Sequence, residues 1–123
     1  MIHKTRKHIK DTMWSMKNAF RGVSFGLNSE RNFRTEVAIF IVTLVYALYL
    51  GFSYLEFAIV FLAGFTVLGA ELLNTAIEES WNRLHPDHHA EVGKIKDLAS
   101  GGVLLVGIGA GLAGLMMFVK HLI

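Results

Sequence analysis

Three stretches of this 123-residue chain carry no charged side chain, and they constrain the fold more than any other feature. Residues 37–55 form the first. Residues 57–70 form the second, which continues to residue 77 if Glu71 is tolerated, and residues 98–119 form the third. A helix needs about 20 apolar residues, each rising about 1.5 Å, to cross the roughly 30 Å hydrocarbon layer of a bilayer. All three stretches qualify, the second by carrying Glu71 near one end. A soluble helical bundle would need polar outward faces, and residues 37–55 and 98–119 offer almost none. Hydrophobic residues make up 53% of the chain and charged ones 18%, the latter below the roughly 25% of an ordinary soluble domain. The expectation is an all-α integral membrane protein with a single domain over residues 1–123. Its transmembrane helices are expected at about 34–52, 55–80 and 97–120.

The basic residues give the orientation. Lys4, Arg6, Lys7, Lys10, Lys17, Arg21, Arg31 and Arg34 precede the first span, and Arg83, Lys94 and Lys96 lie between the second and third. The connection around 51–54 has none, and the carboxyl end has Lys120 alone. The positive-inside rule then places the amino terminus and the 82–97 loop in the cytoplasm. The first 30 residues are too polar for the apolar core of a signal peptide, so this segment is expected to persist in the mature protein. With no cysteine, neither a disulfide framework nor a thiolate site is available.

Ile9, Met13, Met16, Phe20, Val23 and Leu27 recur at alternating spacings of four and three, while Lys10, Lys17, Arg21 and Asn28 occupy other faces. This predicts an amphipathic helix over about 5–29, lying in the membrane interface with its cations near anionic headgroups. A coiled-coil seam is the competing reading. No nucleic-acid-binding motif accompanies the basic residues, so a nucleic-acid partner is not expected. Gly107 and Gly111 form a small-xxx-small pair in the third span, which lets another helix approach closely. They do not make a nucleotide-binding loop, which needs a preceding strand and a following Lys-Ser/Thr. His85, His88 and His89 read as a polar loop, for no cysteine or acidic spacing makes them a zinc site.

Chemistry concentrates in Glu71-Leu-Leu-Asn74-Thr-Ala-Ile-Glu78. At about 100° per residue, Glu71 and Glu78 point within roughly 20° of each other and about 10 Å apart along the axis, with Asn74 flanking the same stripe. A carboxylate inside a span costs about 2.5–3.5 kcal/mol on insertion scales, so Glu71 requires a reason. It could pack in protonated form, bond a neighbouring helix, or mark an ion pathway; spacing alone does not name a reaction. Lys96-Asp97 lies just before the third span, with Ser100 about one turn further in. Glu30-Arg-Asn-Phe-Arg34-Thr-Glu36 reads at first as a solvated junction at the membrane surface.

These words together resemble the prokaryotic diacylglycerol kinase family, which includes undecaprenol kinases. The resemblance runs from about Trp14 to the third span. It is carried by Glu71-Leu-Leu-Asn74-Thr-Ala-Ile-Glu78 and Lys96-Asp97-Leu-Ala-Ser100-Gly-Gly, with support from Asn18-Ala-Phe-Arg-Gly22 and Glu30-Arg-Asn-Phe-Arg34. It implies an interfacial helix plus three transmembrane helices, assembled as a homotrimer with composite sites between subunits. It also implies transfer of the γ-phosphate of MgATP to a lipid hydroxyl, with Glu71 as catalytic base. Glu30 and Glu78 match the family's Mg²⁺-holding and ATP-contacting acids, and Lys96, Asp97 and His89 match nucleotide contacts. Arg34, Glu36, Glu71, Asn74 and Ser100 match the lipid-substrate side.

Two positions depart from the family pattern. Asn82 stands where many members have Asp, and a nucleotide-contacting Arg near the amino terminus has no clear counterpart among Arg6, Lys7 and Lys10. The resemblance points first to diacylglycerol as acceptor, giving phosphatidic acid, because many undecaprenol-kinase-like members carry His where this chain has Glu36. The Glu30–Arg34 segment leans towards undecaprenol, the alternative. A third reading is a non-enzymatic membrane subunit or small transporter using Glu71 as a proton or cation site; Glu30, Glu78 and Lys96-Asp97 weigh against it.

Overall fold

A computed structural model describes residues 1–84 and 90–123 and contains four helices. They are α1 (Ile2–Ser29), α2 (Arg31–Leu50), α3 (Tyr54–Leu84) and α4 (Ala90–Leu122). No strand occurs among the described residues. The last three helices are long and apolar enough to cross a membrane. Their bounds extend the sequence-predicted spans mainly at the polar ends, where Arg31, Arg83, Lys94 and Lys96 lie in helix. A helix satisfies its own backbone whether or not a given turn lies in lipid, so charged flanks do not end it.

The chain divides into two compact units, residues 1–34 and 35–123. In the first, α1 ends at Glu30, whose extended backbone (φ −106°, ψ 109°) separates it from α2 while its N–H still donates to the Gly26 carbonyl at 2.9 Å. The final carbonyls of a helix have no partner within it. Arg34 supplies one: its guanidinium donates to the carbonyls of Leu27 (3.0 Å) and Asn28 (3.1 Å). A lone helix gives the apolar stripe from Ile9 to Leu27 nothing to pack against within its own unit.

The second unit is organised by the antiparallel pairing of α3 with α4 and by a tight α2–α3 turn. Gly51, at φ +74°, occupies the left-handed region that glycine enters at little cost. Its N–H bonds the Leu48 carbonyl (3.2 Å) and that of Phe52 bonds Ala47 (3.1 Å), a Schellman closure of α2. Ser53 then caps α3, accepting from the Glu56 N–H at 3.2 Å. The core of the unit sits at this end: Ala47, Phe52 and Val60 are buried, with Phe40, Leu44, Phe57, Met117 and Phe118 packed around them.

Glu56 is buried in the same place, its side chain 8% exposed. Its carboxylate accepts from Lys120 Nζ at 2.8 Å and is bound by His121 Nε2, both on the last turn of α4. The Phe52 ring stacks on His121 at 4.5 Å between centroids. Both carboxylate oxygens are thus engaged, as a buried charge requires.

Further along, Phe40 of α2 lies edge-on to Phe65 of α3 (5.3 Å) and Phe61 (6.2 Å). Gly64 makes this possible, for a Cβ there would lie 2.2 Å from the Phe40 ring. The sequence marked Gly107 and Gly111 as a pair that lets another helix approach closely. Within the chain a Cβ at either would meet nothing within 4 Å. They line a groove of about 280 Å³ together with Glu36, Phe40, Thr43 and Gly64. A small-xxx-small pair permits close approach, but the partner helix must be supplied, and in this unit α2 approaches α3 rather than the glycine face of α4.

Candidate active site

The three α3 residues singled out from spacing lie on the less exposed side of the helix. Glu71, Asn74 and Glu78 are all half-buried, whereas Leu73, Ala76, Ile77 and Glu79 between and beside them are exposed. Asn74 donates from Nδ2 towards Glu78 Oε1 at 3.5 Å, one helical turn on. That long contact orients the Glu78 carboxylate and leaves the amide oxygen of Asn74 buried with no partner.

Glu36 joins this face from α2. Its carboxyl lies close enough to Glu71 for the two to repel. Glu36 Oε2 is buried without a hydrogen-bond partner, and the same side chain forms part of the wall of the apolar groove. The groove is otherwise walled mainly by aliphatic, aromatic and glycine residues, with Thr43 the other polar one. The second unit therefore holds two carboxyls, a buried amide oxygen one turn along α3 from Glu71, and an apolar groove lined by one of those carboxyls, Glu36. Buried acceptors without donors are rare in native proteins and call for an explanation.

Across the α3–α4 end, Lys96 Nζ donates to the side-chain oxygen of Asn82. Asp97 and Ser100 are exposed on the following turn of α4. Glu79 and Arg83 form an exposed i,i+4 pair at 3.7 Å, a surface contact of little energetic consequence. Glu30 and Arg34 belong to the first unit: Glu30 is held at the α1–α2 break and Arg34 caps α1. His89, with His85 and His88, lies outside the described residues. Among the described residues no group of three or more His, Cys, Asp or Glu side chains converges as a metal cage.

Sequence reasoning used Glu56 only as the break between two apolar runs and Lys120 only as the carboxyl-terminal charge, and so missed their cluster with His121. The available signal was an acid at the start of one span and two cations at the end of an antiparallel one. It also left Asn82 without a task, because a contact between residues 82 and 96 spans a connection that local periodicity does not describe.

The family model for prokaryotic diacylglycerol kinase matches residues 17–118. The chain is similar to an undecaprenol kinase of Bacillus subtilis, 32% identical over 108 residues that cover 88% of each chain. It is also similar to a diacylglycerol kinase of Synechocystis sp., 34% identical over 101 residues, 81% of this chain and 58% of that one.

Proposed function

The chain belongs to the prokaryotic diacylglycerol kinase family, and from that membership we propose that it is a multi-pass membrane lipid kinase that transfers the γ-phosphate of ATP to a lipid alcohol. The observation that carries this reading is the pairing of Glu36 and Glu71 beside an apolar groove, with buried acceptors on Glu36 and Asn74 that lack donors. A lipid alcohol offers what that arrangement lacks: a hydroxyl donor on an apolar chain. A transported proton or cation would explain the carboxyls but not the groove.

In the proposed reaction Glu71 accepts the proton of the lipid hydroxyl as its oxygen attacks the γ-phosphorus. The bond from that phosphorus to the bridging oxygen breaks and ADP leaves. Glu36 and Asn74 hold the hydroxyl in reach, with Ser100 and Arg34 on the lipid side by resemblance. Lys96 offsets negative charge on the phosphates, and Asp97 and His89 contact the nucleotide. Mg²⁺ takes hard oxygen donors, typically one or two carboxylates with phosphate and water oxygens, and the oriented carboxylate of Glu78 fits that set. The resemblance assigns the same task to Glu30. Bound there, the ion would neutralise phosphate charge. The exposed apolar sides of α2 and α4 support assembly with further copies, as the homotrimer of the family requires.

Glu36 supports diacylglycerol as acceptor. A second acceptor has its own support: the relative whose length the chain matches is an undecaprenol kinase, and the Glu30–Arg34 segment leans the same way. The experiment is one assay in mixed micelles, with labelled γ-phosphate in MgATP and the two lipids side by side. Label in either lipid supports the kinase reading and ranks the acceptors. Label in neither would sink it.

A further inference from the structure

Among the described residues, a side-chain bond from Lys96 to Asn82 joins the last turns of α3 to the second turn of α4. Neither residue sits in the buried core of the unit, and Asn82 is exposed. We infer that Asn82 is a positioning residue, holding the Lys96 ammonium in place for a nucleotide phosphate without neutralising it. The inference rests on the nucleotide role proposed above for Lys96.

Two observations support it. Lysine is a point charge on a flexible four-carbon stem, and untethered it spreads over many rotamers. A bond at Nζ confines it. The tether is a carboxamide oxygen and carries no net charge, so Lys96 keeps its full charge, and an ammonium has three N–H donors of which Asn82 takes one. Because Asn82 is exposed, its loss leaves no cavity and no buried orphan, which separates a positioning role from a structural one.

The test measures nucleotide affinity on the full chain in detergent micelles, using MgADP as probe, beside the thermal midpoint and the KM for lipid. Asn82→Ala should raise the Kd for MgADP by on the order of threefold to tenfold, the scale of one modest hydrogen bond. Lipid KM and the thermal midpoint should hardly move, and Asn82→Gln, which keeps the amide oxygen, should recover part of the affinity. In a Lys96→Met background, Asn82→Ala should add nothing, since the pair acts as one unit.

If Lys96→Met weakens MgADP but Asn82→Ala does not, the inference is overturned while the nucleotide role of Lys96 stands. Additive effects overturn it too, because Asn82 would then act independently. Parallel losses in lipid KM and thermal midpoint would mark Asn82 as structural. Unchanged affinity in Lys96→Met removes the nucleotide role and this inference with it.

Discussion

Glu71 is half-buried on α3, close enough to Glu36 for their charges to repel, and its spacing from Glu78 makes that face legible in the sequence alone. What spacing could not supply was Glu36, which lies 35 residues away on another helix. Periodicity reports neighbours on one helix face, not partners across helices. In the proposed mechanism a carboxamide at position 71 cannot take the proton. Glu71→Gln should therefore lower phosphate transfer by about 100-fold or more while leaving assembly intact. Near-native turnover in that variant would refute the base assignment. Gly64 is the residue where size decides. Gly64→Val should destabilise the protein by about 1–3 kcal/mol, since the Phe40 ring must move, and the loss should shrink in Phe40→Ala. Unfolding in detergent measures both.

Among the elements, the α3–α4 pair is tied at both ends: at one by Lys96 and Asn82, at the other by Glu56 with Lys120 and His121. The existence and type of the long helices were legible in the sequence, because long uncharged stretches admit few other folds. The α2–α3 turn was legible only as a gap in basic residues, although Gly51 and Ser53 carry the glycine and cap that close one helix and open the next. The Glu56 cluster was not legible, since 64 residues separate its acid from Lys120 and no local pattern links them. Removing one partner of a buried ion pair leaves the other uncompensated. Glu56→Gln should cost about 1–3 kcal/mol, below the usual loss for a fully buried pair because the Lys120 side chain is 67% exposed. A stability unchanged in chemical denaturation would show that the cluster contributes nothing.

Taken whole, the chain exposes far more apolar surface than three helices can cover for one another; the most apolar stretch of α4 has none of its residues buried. Lipid and, in the proposed assembly, other copies of the chain are the surfaces that answer this. The positive-inside reading gives a topology that single cysteines can test against a background of none. Ser53→Cys should react with a membrane-impermeant thiol reagent from outside intact cells, and Lys94→Cys only after permeabilisation. The reverse pattern would invert the orientation. If active sites are shared between subunits, inactive Glu71→Gln and inactive Lys96→Met chains should regain activity when assembled together. Failure of mixed assemblies to recover any would place each site within one chain.

The Glu56 cluster also bears on how such a chain is threaded into a bilayer. Lys120 and His121 stand at the opposite end of α4 from Lys96, so whichever leaflet receives one set, the hydrophilic tip of the helix must be carried across. Moving a bare lysine through hydrocarbon is costly. Because α3 precedes α4, its Glu56 is emplaced first, and the arriving ammonium and imidazole find an anion already waiting. The hairpin thus carries its own docking charge, which favours completed insertion of the final segment over its return.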